Sequence, residues 1–109
     1  MDLGAFLRPG GIFPVTALAE GESQPAAGHL LERRGRPLWV ADAPQPHGRV
    51  LTIRVELPGF RLAEDGSLTP AEAEALVPLI LLGQVRGCRF FPPRQLYVLR
   101  LTLLGRVDP

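Results

Sequence analysis

The sequence predicts a single β-rich α+β domain over residues 1–109. One stretch, residues 49–57, alternates apolar and polar side chains with a period of two, which is typical of a half-buried antiparallel strand. The 12 Gly and 12 Pro residues divide the chain into short segments, as the turns of a small sheet require. One helix-start motif interrupts the series of predicted strands. A chain of this length buries enough surface for one core without disulfides or a metal.

The first third of the chain predicts an arm, a strand and a hairpin. Residues 1–11 are interpreted as a terminal arm or short edge strand, because they end in a Pro-Gly-Gly break. Residues 12–19 follow as a strand, in which Pro14 indicates an edge or a bulge. Residues 29–42 predict a β-hairpin, since two apolar-rich runs flank an Arg-Arg-Gly-Arg turn and Gly35 can adopt a positive φ.

The clearest strand covers residues 49–57. Apolar side chains occupy every second position, and we expect this face to lie on the core: Leu51, Ile53, Val55 and Leu57. Polar side chains dominate the other face, and Pro58-Gly59 ends the strand.

A helix is predicted over about residues 70–84. Thr69 is its expected N-cap, Pro70 occupies the first helical position, and Glu72 completes a capping box. Apolar residues then recur at the spacing of a core-facing helix stripe, at Leu76, Leu79, Ile80 and Gly83. Pro78 should kink this helix, because a proline in a helix interior costs about 3 kcal/mol.

Two strands are predicted to follow, over residues 86–91 and 94–104, joined at Pro92-Pro93. The second strand is apolar on both faces, which places it in the middle of a sheet or between the core and a partner chain. Strands, one helix and two further strands form the element order of an OB-fold. We therefore expect a small antiparallel sheet or a partly open, OB-like barrel.

The composition favours a cytoplasmic protein without a membrane segment. The longest apolar run, residues 75–82, is far shorter than the roughly twenty residues that span a bilayer, and we see no signal peptide. The lone Cys88 favours a cytoplasmic setting. We interpret it as a small buried strand residue; the alternative is a thiol activated by Arg86 and Arg89.

All 12 basic residues are Arg and Asn is absent, which indicates a GC-rich genome or, alternatively, a thermophile source.

No catalytic or metal-binding motif is present in the sequence. The two histidines, His29 and His47, do not form a metal-ligand spacing with each other or with the single cysteine. Asp42 and His47 share one loop as a conceivable base and orienting group, but a solvated loop histidine is the favoured interpretation. We therefore predict a non-enzymatic protein with no catalytic residues, no metal and no cofactor.

Charge is distributed unevenly along the chain. Residues 1–74 contain 7 Arg and 10 acidic residues, whereas residues 75–109 contain 5 Arg and one acidic residue. Aromatic side chains are interleaved with these last arginines, as single-stranded nucleic-acid binding requires. The predicted contact residues are Arg86, Arg89, Phe91, Arg94, Tyr97 and Arg100. Alternatively, the rings belong to the core and the arginines pair with Glu64, Asp65, Glu72 and Glu74.

A second basic cluster lies at the tip of the predicted hairpin. Arg34 and Arg36 are candidate nucleic-acid contacts, together with Trp39, provided that the tryptophan shares a face with Arg34 and allows cation–π stacking. Solvated turn arginines are the simpler alternative.

Taken together, the sequence predicts a small non-enzymatic, nucleic-acid-binding accessory protein. The alternative is a homo-oligomer or a subunit of a hetero-complex that binds only protein. Its mean hydropathy of +0.13 and the apolar residues at 79–82 and 96–104 favour that alternative, because they leave apolar surface for a partner.

Overall fold

The computed structural model describes residues 12–107, which form eight β-strands. The arm predicted over residues 1–11 lies outside this range. The strands are β1 (Ile12–Ala19), β2 (Ala26–Arg33), β3 (Arg36–Ala41), β4 (Val50–Pro58), β5 (Phe60–Leu62), β6 (Leu68–Pro70), β7 (Leu76–Phe91) and β8 (Leu96–Arg106). A 3-10 turn, Pro92–Arg94, joins β7 to β8.

Six of these strands close into an antiparallel barrel. Their order around the barrel is β1, β2, β3, β8, β7 and β4, and β4 pairs again with β1. The first four strands form a Greek key, since three hairpin-connected strands are followed by one that returns beside the first. β5 and β6, which follow β4 and precede β7 in the chain, pair with each other as a separate two-stranded ribbon. The β-rich prediction is therefore confirmed, and the closed barrel is compatible with an OB-like architecture.

The core fills the barrel interior, and its placement confirms the alternation predicted for β4. All four apolar residues assigned to one face of that strand are buried, whereas Thr52, Arg54 and Glu56 on the other face are exposed. The largest buried side chain is Trp39, which is 1% exposed and packs against the β2 backbone at Gly28. The predicted hairpin at residues 29–42 is also present, as β2 and β3.

The helix predicted over residues 70–84 is wrong, as is the α+β class that depended on it: residues 12–107 contain no α-helix. Thr69 lies in β6, and its hydroxyl donates to the Arg61 carbonyl across the ribbon rather than capping a helix (3.3 Å). Glu72 forms an ion pair with the Arg61 side chain instead of closing a capping box. The segment that follows, Leu76–Phe91, is a strand of 16 residues.

The helix was predicted wrongly at the start of β7 because every residue from 76 to 82 is apolar. Such a run has neither a helical nor a strand period, so periodicity alone does not identify the element. In the barrel, Val77, Leu79 and Leu81 face the core, while the residues between them lie on the outer surface.

Pro78 fits this strand because it removes no ladder hydrogen bond. It lies opposite Glu56, and the Gly59 N–H donates to the Ala75 carbonyl at 2.9 Å. Hydrogen-bonded pairs alternate along an antiparallel ladder, so the nitrogen of Pro78 points away from β4. β8 pairs with β7 only from Leu81 onward, which leaves Pro78 at an open edge of the sheet, where proline is tolerated.

β7 and β8 form a hairpin whose far end projects beyond the barrel. β7 pairs with β4 only as far as Gln84, but its pairing with β8 continues to Phe91. On the other side, the pairing of β3 with β8 ends at Ala41 and Tyr97. We refer to residues 86–100, which contain this projecting end, as the hairpin arm.

Candidate functional site

A register shift in β7 determines which side chains of the hairpin arm face outward. The shift lies between Val85 and Gly87, so the extra residue Arg86 reverses the alternation in the rest of the strand. Cys88 is opposite the buried Leu99 and therefore lies on the inner side. Its neighbour Arg89 and every second residue from it lie on the outer side.

The outer side of the arm carries three arginines and one phenylalanine. Arg89 is opposite Val98, Phe91 is opposite Leu96, and Arg100 is opposite Gly87. Arg86 lies on the same side, because its Nε donates to the Thr102 hydroxyl at 3.0 Å. We call this set, Arg86, Arg89, Phe91 and Arg100, the arginine face.

Gly87 provides the space in which the Arg100 side chain lies. A Cβ at Gly87 would meet the Arg100 guanidinium nitrogens at 2.7 and 2.9 Å. The Arg100 guanidinium therefore lies over the backbone of β7 at Gly87 while remaining exposed to solvent. Three cationic groups are thus held at neighbouring positions of the same surface.

The arginine face lacks the acidic partners that the alternative interpretation assigned to it. Within residues 12–107, the ion pairs are Arg49–Glu22, with 3.4 Å between Nη1 and Oε1, and Arg61–Glu72. None of Arg86, Arg89, Arg94 or Arg100 has an acidic partner there. The arm itself contains no acidic residue.

Arg36 adds a fifth side chain to the same outer surface. It lies two residues before Leu38, which is directly opposite Arg100 in the β3–β8 ladder. Arg34 is in the two-residue turn between β2 and β3 and is exposed. Arg94 is exposed in the 3-10 turn at the tip of the arm.

Trp39 does not share this surface, so the predicted stacking with Arg34 is wrong. Its side chain is 1% exposed, opposite Leu99 inside the barrel, and its indole N–H has no hydrogen-bond partner. The four residues 38–41 are all apolar, so alternation did not reveal which pair faces inward.

Tyr97 also lies on the inner side of the arm. It is half-buried against the core and contacts Phe90, with ring centroids 5.0 Å apart. Phe90 was not among the predicted contact residues, yet it is 47% exposed, the same as Phe91. Cys88 is exposed as well, which corrects its interpretation as a buried residue.

An open groove of about 940 Å³ adjoins the arginine face on the outer surface of the barrel. It crosses β1 and β2 and is lined mainly by apolar side chains. Val40 and Leu96 line its near end, and they lie beside Val98 and Phe91 of the arm. The lining also includes Asp42, Arg54 and Glu56, so the surface next to the arginine face is mainly apolar with a few charged side chains.

In the described part of the chain, no group of three or more His, Cys, Asp or Glu residues could hold a metal ion. No helix there has the length and apolarity needed to span a bilayer. Comparison with protein-family models, curated proteins and solved structures finds no match to this chain.

Proposed function

We propose that this protein is a small, non-enzymatic, cytoplasmic module that binds single-stranded nucleic acid across its arginine face. The observation that carries the proposal is the grouping of Arg86, Arg89 and Arg100 around Phe91, without acidic partners in the described residues. Guanidinium groups bind phosphate in a bidentate manner, and an exposed aromatic ring stacks on an unpaired base. Arg36 extends this surface onto β3.

The near-neutral charge of the whole chain does not argue against this function. The formal net charge is +1, but residues 86–100 contain four arginines and no acidic residue. Phosphates close to the arm interact mainly with these local charges, because interactions beyond about 8 Å are screened at physiological salt. The arm is therefore a strongly cationic surface on a nearly neutral protein.

The first test is the salt dependence of binding to labelled single-stranded DNA and RNA, measured by fluorescence anisotropy. Each neutralised phosphate contributes about −0.7 to the slope of log K against log salt for single strands. Three or four arginine contacts therefore predict a roughly 20- to 50-fold loss of affinity between about 50 and 200 mM salt. No binding at the lower salt concentration would contradict the proposal.

The second test compares two variants that each lose one arginine, and a third variant whose net charge is unchanged. Arg89→Ala should weaken binding and reduce the salt slope by about 0.7, whereas Arg54→Ala removes the same charge from an exposed position on β4 and should have little effect. Gly87→Ala should also weaken binding, because its Cβ displaces the Arg100 guanidinium without changing the net charge. Equal losses for Arg89→Ala and Arg54→Ala would indicate non-specific attraction rather than a defined face.

Charge segregation along β7 favours self-assembly as a second candidate function. Four acidic residues lie in the segment before β7, at the strand end opposite the arm: Glu64, Asp65, Glu72 and Glu74. Asp65 accepts hydrogen bonds from the Ser67 hydroxyl and N–H (2.6 and 3.0 Å), which lower the pKa of its carboxyl and keep it charged. Glu72 is paired with Arg61, so Glu64, Asp65 and Glu74 are the carboxylates that meet the arm of another copy in this head-to-tail contact.

Sedimentation velocity tests this second function. Head-to-tail association should increase with protein concentration and decrease with salt, since it depends on opposite charges. A monomer at every concentration over a hundredfold range at low salt would exclude it.

A further inference from the structure

The tip of the hairpin arm exposes aromatic rings on both of its sides. Phe91 lies on the outer side, opposite Leu96, and Phe90 lies on the inner side, opposite Tyr97. Each phenylalanine is 47% exposed. Neither ring belongs to the core cluster. Phe91 lies past the last residues of β3 and β4 that pair with the arm, whereas Phe90 is level with the last β3 pair, Ala41 and Tyr97, and packs on Tyr97.

The tip is also rigid and cationic. Pro92 and Pro93 fix the backbone of the 3-10 turn, and the Gln95 N–H closes it by donating to the Pro92 carbonyl at 3.1 Å. Arg94 is exposed at the apex, and no acidic side chain occurs between residues 86 and 107. A firm edge with a cation at its apex and a ring on each side is suited to entering a nucleic-acid structure.

The two rings cannot both contact one strand that lies flat on the arginine face. Successive side chains of a β-strand point to opposite sides, so Phe90 and Phe91 lie on opposite faces of the hairpin, with its backbone between them. A strand bound to Arg89 and Phe91 leaves Phe90 without a base. Two strands that diverge around the tip would occupy both rings.

We infer that the hairpin arm is a wedge for forked nucleic acid, in which the duplex ends at the tip and one unpaired strand passes along each side. This inference rests on the proposed single-strand binding by the arginine face and names its preferred substrate. One strand follows the arginines and stacks a base on Phe91. The other stacks a base on Phe90, and Arg94 lies between the two backbones where the strands separate.

Three labelled DNA probes of the same sequence test the wedge by fluorescence anisotropy: a single strand, a blunt duplex, and a fork with about six unpaired nucleotides on each arm. The fork should bind at least about fivefold more tightly than the single strand, because it adds one base–aromatic stack. The blunt duplex should bind most weakly, since it offers no unpaired base.

Alanine variants at the tip distinguish the contributions of the two phenylalanine rings to binding. Phe90→Ala should reduce fork affinity to that of the single strand and leave single-strand affinity unchanged, while Phe91→Ala should weaken both. Leu76→Ala is the matched control, because it removes a 58% exposed apolar side chain from the other end of β7. Circular dichroism and Trp39 fluorescence verify that each variant is folded.

Alkylation of Cys88 provides an independent measurement on the inner side of the arm. Cys88 is exposed on the same side as Phe90, so the fork should slow its reaction with iodoacetamide and the single strand should not. If the single strand binds but the fork binds no more tightly, or if Phe90→Ala binds the fork like the unmodified protein, the wedge is wrong and the arginine face stands. If none of the three probes binds, the proposed function and the wedge both fail.

Discussion

Gly28 and Gly87 both lie in strands where a neighbouring group occupies the space that a Cβ would need, but the neighbouring groups differ. At Gly28 the space above the Cα is occupied by the core, since a Cβ there would meet Trp39 Nε1 at 2.3 Å and the Val40 carbonyl at 2.4 Å. At Gly87 the space is occupied by the mobile end of the Arg100 side chain. The first glycine therefore serves the fold, and the second serves the presentation of a cation.

Gly28→Ala is expected to destabilise the protein by roughly 2–3 kcal/mol, because the added methyl group forces the indole and the β3 backbone apart in a packed interior. The free energy of unfolding is measured by urea denaturation, with the single tryptophan as the probe. Gly87→Ala is the control, since the Arg100 guanidinium can move aside and the folded strand tolerates alanine. Equal midpoints for the two variants would contradict this assignment.

At the scale of elements, the β2–β3 turn and strand β7 differ in how well local sequence specifies them. The turn residues Arg34 and Gly35 have φ values of 55° and 77°, the pattern of a two-residue type I′ turn. Glu32 supports this turn by accepting a hydrogen bond from the Gly35 N–H. The Arg-Gly pair was sufficient to predict the hairpin, because glycine supplies one of the two positive φ angles without strain.

Arg34→Asn is expected to stabilise the hairpin by up to about 1 kcal/mol, since asparagine adopts a positive φ more readily than other residues with a side chain. Thermal and urea denaturation should both show the gain. Arg34→Ala provides the comparison: it removes the same charge and keeps the strained φ, so it should not stabilise. A gain of the same size in both variants would assign the effect to charge instead.

For strand β7, in contrast to the β2–β3 turn, the local sequence predicts the wrong element, a helix instead of a strand. The residues Thr69, Pro70 and Glu72 form a convincing helix start on their own, yet Arg61 in β5 engages both Thr69 and Glu72. Pro78 was expected to kink the helix, but in the strand its nitrogen points away from β4, towards an edge that β8 does not cover, so no ladder hydrogen bond is lost. Both outcomes depend on strands that are distant in sequence.

At the scale of the whole molecule, residues 12–107 form one closed barrel, with the β5–β6 ribbon beside it, and every barrel strand contributes buried side chains to one core. We expect residues 12–107 to unfold in a single cooperative transition, as small single domains do. Urea curves from Trp39 fluorescence and from far-UV circular dichroism should therefore coincide. Separate midpoints for the two probes would show that the arm or the β5–β6 ribbon unfolds independently of the barrel.

At the same scale, the candidate site depends on the register between strands. Counting every second residue forward from the buried Val85 would place Arg89 and Phe91 on the inner side of β7. The extra residue Arg86 reverses the alternation, so both share a side with Arg100 instead. The same shift places Phe90 with Tyr97. Sequence reasoning identified the arginines and Phe91 as candidates but grouped Tyr97 with them, and it omitted Phe90.

By itself, the sequence determined the β-rich class, the core face of β4, the hairpin of β2 and β3, and the concentration of unopposed arginines after residue 85. These features follow from local alternation, turn chemistry and composition, which act within a few residues. Only the tertiary structure decided that residues 76–85 belong to a strand, that Trp39 is buried, and that Phe91 rather than Phe90 shares a side with the arginines. Those outcomes follow from barrel closure and strand register, which are set by pairing between segments that are far apart in the chain.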